Sequence, residues 1–359
     1  MALLAILGDT HFGKRGDSVQ FHNYDRKFYE NIFFPYVLEN KITTIIQLGD
    51  LFDRRKYVSY NTLYLAKKYF FDKLVEYGLK MVVYPGNHDI TYRNTLEVNA
   101  IDLVLSDYID AGVIVSYKEP ATIMIDGLAV DVIPWICSDN EKQIDQFIAN
   151  TKSPVCFGHF EIAGFEMDRG AVCHDGMARE KLSNYEMVIS GHFHHKSSDG
   201  QIFYVGTPSQ MTWADYGDSR GFHVYDTHTR DLVFHKNPYE MFHKIIYDEN
   251  EETWDSVKTK NYEQYADTMV KVIVAAKTNP VLYDMFLDQL YKANPLEVNI
   301  VEDFTDYAEI TDSDIIDQSD DTITTIEKMI DSIEMGLDKN KLKRVMRNIY
   351  LEAQKVETN

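Results

Sequence analysis

Short apolar runs and longer periodic stretches take turns along the first two thirds of this chain. Five of the runs read LLAILGDTH (3–11), TTIIQLGD (43–50), MVVYPGNHD (81–89), PVCFGH (154–159) and MVISGHFHH (187–195). Each is short, mostly Val, Ile and Leu, and stops at a glycine followed by an acid, an amide or an imidazole. Runs of this length bounded by glycine predict buried strands. Between them, spacings of three and four predict helices over Tyr24–Leu38, Asn61–Tyr77 and Thr95–Ile109. The second places Leu63, Ala66, Phe70, Leu74 and Tyr77 on one stripe. Pro35 is expected to kink or end the first helix, and Asn94 to cap the third. Strands alternating with helices predict an α/β sheet packed by helices on both faces.

QIFYVGTP (201–208), GFHVYDT (221–227) and LVFHKN (232–237) read as consecutive strands that close the second half of the sheet. From about Met241 the pattern changes to a small βαβαβ unit. Its strands are expected in KIIYDE (244–249), MVKVIVAA (269–276) and LEVNIVED (296–303), and its helices in Thr253–Gln264 and Pro280–Lys292. No Lys or Arg then occurs between Lys292 and Lys328, a stretch full of Asp and Glu that reads as a solvated face or linker. In the tail, Ile323, Ile326, Ile330 and Ile333 recur at helical spacing up to Gly336. After Asp338, a possible cap, Leu342, Val345, Ile349, Ala353 and Val356 form a second stripe. The expected boundaries are 1–240, 241–303, 304–321 and 322–359. Two short amphipathic helices cannot bury both stripes alone. Docking on the parent domain and binding in a partner's groove are both open from the pattern.

Composition narrows the function. The 359 residues are 45% hydrophobic and 13% aromatic, enough for two or three domains with sizeable cores. A net charge of −21 argues against a broad basic surface for nucleic acid. It does not exclude a nucleic-acid enzyme, because bound divalent cations would reverse the local field. Cys137, Cys156 and Cys173 show neither a disulfide framework nor a zinc knuckle, which suits a reducing cytoplasm. MALLAIL has no basic leader and reads as a strand rather than a signal peptide.

With the strand ends on one rim, Asp9, His11, Asp50, Asn87, His88, His159, His192 and His194 would be gathered there, where open α/β sheets bind ligands. Oxygen and imidazole groups in that number suit two divalent ions of the kind that hydrolyse phosphate esters. On an extended segment, the D-x-H spacing of Asp9 and His11 aims both side chains one way. GHFH does the same for His192 and His194. Asp50 has two oxygens with which to bridge. Asn87 is a neutral ligand, and the adjacent His88 points elsewhere and is free for proton transfer. Any one of these turns is commonplace, but the five together after five strands are not.

The ordered set D-x-H, GD, GNHD, GH and GHxH resembles the signature of the calcineurin-like metallophosphoesterase superfamily. Within it, GDLFD (49–53), YVGTPSQ (204–210) and the order of parts are similar to SbcD-type DNA repair and recombination nucleases. The acidic, tail-ended form is most like the nuclease subunits of T-even-like phage recombination complexes. The resemblance implies a mixed two-sheet core flanked by helices, a small α/β cap and a C-terminal helical tail. It implies that Asp9, His11, Asp50 and His194 hold one ion, that Asp50, Asn87, His159 and His192 hold the other, and that His88 is the catalytic histidine. Manganese is the implied ion, with magnesium as the alternative. The implied activity is that of a DNA exonuclease, with endonuclease action besides, working in DNA end processing. The tail would bind the coiled coil of an SMC-like ATPase, the phosphoesterase helices within Asn61–Ile109 would form a homodimer, and a phage-encoded chain would act in the host cytoplasm. A phosphatase or small-molecule phosphodiesterase on the same scaffold is the rival enzyme, but it leaves cap and tail without a purpose. A non-catalytic scaffold is the third reading, against which the intact ligand set counts.

Other positions are weaker. Asp53 either orients a ligand from behind or begins a helix, and Arg54 and Arg55 either touch phosphate or face solvent. His195 flanks the ligand pair without joining it. His22, His174, His223, His228, His235 and His243 have no motif around them.

Overall fold

Leu4 and Ile6 face one side of the first strand and Ala5 and Leu7 the other, and all four are fully buried. A strand covered on both faces belongs inside a layered α/β core, and the computed structural model has that architecture. It describes residues 2–168 and 171–302, together with Ile330 and Lys339. The acidic stretch expected at 304–321 and the two helices expected in the tail lie outside the described residues.

Two mixed six-stranded sheets stack face to face. The first contains β1 (Leu3–Leu7), β2 (Thr44–Gln47), β3 (Lys80–Val83), β4 (Ile114–Ser116), β13 (Gly221–Asp226) and β14 (Leu232–Lys236), in the order β14-β13-β1-β2-β3-β4. The second contains β5 (Ala121–Ile125), β6 (Leu128–Ile133), β7 (Val155–His159), β10 (Met187–Gly191), β11 (Ser197–Ser198) and β12 (Ile202–Tyr204), in the order β11-β12-β10-β7-β6-β5. A hairpin of β8 (Glu166–Asp168) and β9 (Ala171–Val172) stands apart. The strands β1, β2 and β3 run parallel, as do β6, β7 and β10. Ile6, Ile46, Val82, Val132, Phe157 and Ile189 fill the space between the sheets. Helices cover the outer faces.

The expectation that β12, β13 and β14 close one sheet together is corrected. β12 pairs with β10 in the second sheet, whereas β13 returns to pair antiparallel with β1 in the first. A continuous apolar run shows that a strand has two buried faces but not which neighbour it takes.

The helix expected at Tyr24–Leu38 begins earlier, at Val19, and runs through a π turn at Tyr29–Phe33 to Glu39. Pro35 does not end it. The wider turn just before Pro35 already breaks the regular hydrogen-bond ladder that proline would disrupt. The helix over Tyr60–Glu76 has a matching π turn at Lys67–Phe71, and Ser59 caps it by accepting from the Thr62 amide. The two π turns face each other through Tyr29 and Phe70, whose rings meet edge to face at 4.8 Å. Such aromatic pairs add about 0.5–1.5 kcal/mol each beyond the area they bury. The third helix is shorter than expected. Residues 90–99 double back, with Ile90 bridging Asn99, and helix forms only over Ala100–Val104 and Ser106–Asp110. The cap is Asn99, accepting from the Asp102 amide at 2.9 Å, not Asn94.

A third sheet of parallel strands, β15 (Phe242–Asp248), β16 (Met269–Ala276) and β17 (Glu297–Val301), follows with helices at Trp254–Thr259 and Pro280–Lys292. It has its own core around Tyr247, Val272 and Phe286. Gln210 ties it to the main body. Its side-chain oxygen accepts from the amides of Met241 and Phe242 at 2.7 and 3.1 Å, and its amino group donates to the Asp215 carbonyl at 3.1 Å.

His223, on β13, is buried, with a ring nitrogen that lacks a hydrogen-bond partner among the described residues. Burial, helped by Lys196 and His235, lowers its pKa from 6.5 to about 3. The unfolded chain therefore binds a proton near pH 6.5 that the folded chain refuses, and stability is lost as pH falls through that range. Replacing His223 with Phe is expected to remove about 2–3 kcal/mol of the stability difference between pH 7 and pH 4.5. Urea unfolding at the two pH values checks this; an unchanged difference would show that His223 is not the group responsible.

Candidate metal centre

The carboxyl ends of β1, β2, β3, β7 and β10 share one rim, and each delivers its motif there. The chain must turn sharply to aim these side chains inward. His11, Asp50 and His192 have φ of 45°, 51° and 90°, a left-handed region that side-chain-bearing residues seldom occupy unless the surroundings hold them. The D-x-H pair is therefore not on an extended segment, as its spacing suggested. The glycines clear space. A Cβ on Gly86 would lie 2.2 Å from Asp50 Oδ1, and one on Gly191 would lie 2.6 Å from Asp9 Oδ1.

The side chains form two adjoining groups, Asp9–His11–His194 and Asp50–His159–His192, each with its potential ligand atoms within 4.8 Å of one another. In the first, Nε2 of His11 and Nε2 of His194 face each other at 3.2 Å, and His194 Nε2 is 3.8 Å from Asp9 Oδ2. In the second, His159 Nε2 is 3.4 Å from Asp50 Oδ2 and 3.0 Å from Asn87 Oδ1, which also lies 3.0 Å from His192 Nδ1. Asp50 Oδ2 is also 3.8 Å from His11 Nε2, so it stands between the groups. His192 and His194 thus part company. The idea that the GHFH spacing aims both imidazoles one way is corrected, because the left-handed turn at His192 and the buried Phe193 separate them.

This donor set fits cations and little else. Nδ1 of His159 lies 2.7 Å from the Leu48 carbonyl, which turns its Nε2 toward the oxygens of Asp50 and Asn87. Asn87 points its carbonyl oxygen at two ring nitrogens. With nothing positive there, the opposite rotamer would be better, its amino group donating to His192, His159 and Asp50 and its oxygen accepting from Arg55. A divalent ion reverses that preference. The electrostatics agree. Burial opposes charge on His159, yet Asp50 and Asp9 outweigh it and raise its pKa to about 9, so the pocket draws positive charge. Burial lowers His11, His192 and His194, the last to about 4, which keeps these imidazoles neutral and able to coordinate. Burial pushes Asp9 up to about 7 against the pull of His159, while His159 and His88 overcome burial and hold Asp50 well below the carboxylate range.

His88 stands at the edge. Its backbone amide donates to Asp50 Oδ1 at 2.7 Å and its Nδ1 to the Asp53 carbonyl at 2.6 Å. It lines an open cleft of about 460 Å³ together with His11, His194, Asp53 and Arg54. Asp53 Oδ1 is 3.6 Å from His11 Nδ1, so it faces the back of that ring. His195 turns away to Asp218, 2.8 Å from its Nδ1.

Two supporting residues escaped the sequence reading. Asp89 is wholly buried and accepts from the amides of Leu51, Phe52 and Gly86 at 3.1, 3.0 and 2.9 Å, joining the GDLFD and GNHD loops. The final letter of GNHD was its only signal. Arg220 binds the His194 carbonyl and the Asp215 carboxylate, and donates to Thr207 Oγ1 at 3.0 Å. Nothing in the sequence around Arg220 marks that role.

A family model described as calcineurin-like phosphoesterase matches residues 2–196, and the chain belongs to that family. With the two donor groups, this makes it a metal-dependent phosphoesterase. The relative that spans nearly all of it is "Exonuclease subunit 1" of Enterobacteria phage T4, 30% identical over 352 residues, covering 97% of this chain and 98% of the relative. Among solved structures, an archaeal phosphodiesterase is similar at 13% identity over 66% of this chain and 99% of its own, with a TM-score of 0.33.

Gly86→Ala is expected to force the Asp50 carboxylate out of place. The rise in melting temperature that manganese gives the parent protein should shrink by more than half in the variant, as measured by differential scanning fluorimetry across a metal titration. An undiminished rise would remove Asp50 from the centre.

Proposed function

We propose that this protein is a DNA nuclease that hydrolyses phosphodiesters at a two-ion centre, working as the nuclease subunit of an ATPase–nuclease complex in recombination and repair. The observation that carries the reading is the pair of donor groups with Asp50 between them, in a chain similar over 97% of its length to a phage exonuclease subunit. Asp9, His11, Asp50 and His194 would hold one ion and Asp50, Asn87, His159 and His192 the other, with manganese the favoured metal and magnesium the alternative. Ions held by these residues would supply Lewis-acid chemistry for phosphodiester hydrolysis. The chain's residues do the rest. Asp53, with Oδ1 3.6 Å from His11 Nδ1, faces that ring from behind without a hydrogen bond. His88, fixed through Nδ1, presents Nε2 to the cleft, where it can protonate the leaving oxygen.

His88→Ser is expected to lower DNA cleavage at least 100-fold, in the range that loss of a general acid produces, while manganese binding by calorimetry stays close to the parent value. Linear DNA and a generic aryl phosphodiester, offered side by side with manganese, separate this reading from a small-molecule phosphodiesterase. Hydrolysis of the small ester alone would favour the rival.

Two features support an assembly. The helix over Tyr60–Glu76 leaves Tyr60 94% and Tyr64 63% exposed, and the helix at Ala100–Val104 leaves Leu103 66% exposed, apolar side chains that a homodimer could cover. The amphipathic pattern of 322–359 suits docking on the coiled coil of an SMC-like ATPase. Deleting residues 321–359 is expected to abolish co-purification with that ATPase while leaving metal-dependent hydrolysis within about twofold. Retention of the ATPase by the truncated chain would place the contact elsewhere.

A further inference from the structure

Two clefts of opposite charge meet at the donor groups. The first, about 460 Å³, reaches His11, His88 and His194 and carries Arg15 and Arg54 against Asp53, while Lys14 in its wall is paired with Asp25 at 2.9 Å. The second, about 350 Å³, reaches His159 from the other side and carries Glu141, Asp145, Glu161 and Asp175 against Lys181. Lys181 lies 2.8 and 3.0 Å from the Asp145 oxygens, and this pair leaves the other three carboxylates to set the charge of the second cleft. Its wall is Trp135, whose ring sits 5.0 Å from that of His192 and 5.8 Å from that of His159.

We propose that the second cleft receives only the terminal nucleoside of a strand and that its carboxylates turn away a strand that continues. The nuclease would therefore cut at ends. This inference rests on the DNA reading above and assigns it a determinant of specificity. A strand cut internally must lie in both clefts, with a phosphate on each side of the scissile one. The basic cleft accommodates such phosphates. The acidic cleft opposes them with like charge in a confined space. A terminal nucleoside has no phosphate beyond its sugar, so it meets no such opposition. Its base can stack on the Trp135 indole, as bases do on aromatic platforms. The volume lies near the lower end of small-molecule sites, about 300–1,000 Å³, which suits one nucleoside rather than a strand.

The test compares the full-length protein, with manganese, on linear single-stranded DNA and on a covalently closed circle of the same sequence. It also uses linear strands bearing a hydroxyl or a phosphate at each end. The parent is expected to cut the linear strand far faster than the circle and to be slowed by a phosphate at the attacked end. In a variant combining Glu141→Gln, Glu161→Gln and Asp175→Asn, the linear rate should stay within about threefold and the circle rate rise on the order of tenfold. Lys181→Gln, which releases Asp145, should shift the ratio the other way, so the triple substitution is not the sole readout. A circle-to-linear ratio unchanged in both variants, with DNA still cleaved, overturns the inference and spares the DNA reading. A parent that hydrolyses small diesters but no DNA overturns both.

Discussion

Everything at the centre of this molecule depends on one constraint: carboxylates and imidazoles from five strand ends converge in a buried space. Asp9, His11, Asp50 and His159 are all at 0–1% exposure, where unpaired polar groups are costly. The chain accepts this strain in the backbone as well, with His11, Asp50 and His192 in left-handed conformations. An interior that rewards cations this strongly explains how a protein with a net charge of −21 can act on phosphate esters. The bulk of its acidity lies elsewhere, and the local field is set by what the rim binds.

The layered core makes such a centre buildable. Because β1, β2 and β3 are buried on both faces and parallel, their ends align without further instruction, and β7 and β10 bring the second sheet's ends to the same line. Loops anchored on strands this rigid place side chains more reliably than loops anchored on one another. Asp89 is the internal tie. By taking three amides from two loops, it fixes Asp50 and Asn87 relative to each other before any ion arrives.

The strands of the centre were readable from Val- and Ile-rich runs ending in glycine, since such runs have few alternatives in a packed sheet. The rim positions of Asp9, His11, Asp50, Asn87, His88, His159, His192 and His194 followed from the same stops. Three things were hidden. Strand partners depend on contacts between distant segments, so β12 and β13 could not be assigned to separate sheets. Side-chain direction beyond a strand end depends on φ, so the spacing of His192 and His194 misled where the turn at His192 decided. Helix starts depend on which polar residue wins an amide, and Asn99 won over Asn94 because the preceding loop folds back on Ile90. Asp89 acts through backbone amides, with the last letter of GNHD its one sign, and Arg220 holds the His194 carbonyl, Asp215 and Thr207 with no motif around it.

Gln210 gives the architecture a mechanical property. One amide side chain clamps the start of β15 and the loop at Asp215, and the next two residues, Met211 and Thr212, form part of the wall of the basic cleft. The smaller sheet and that wall are therefore joined, through Gln210 and through Trp213 and Tyr216, which pack against Phe242, Lys271 and Lys244 of the sheet. Rotation of the sheet as a rigid block would pull on the lip past which a substrate enters.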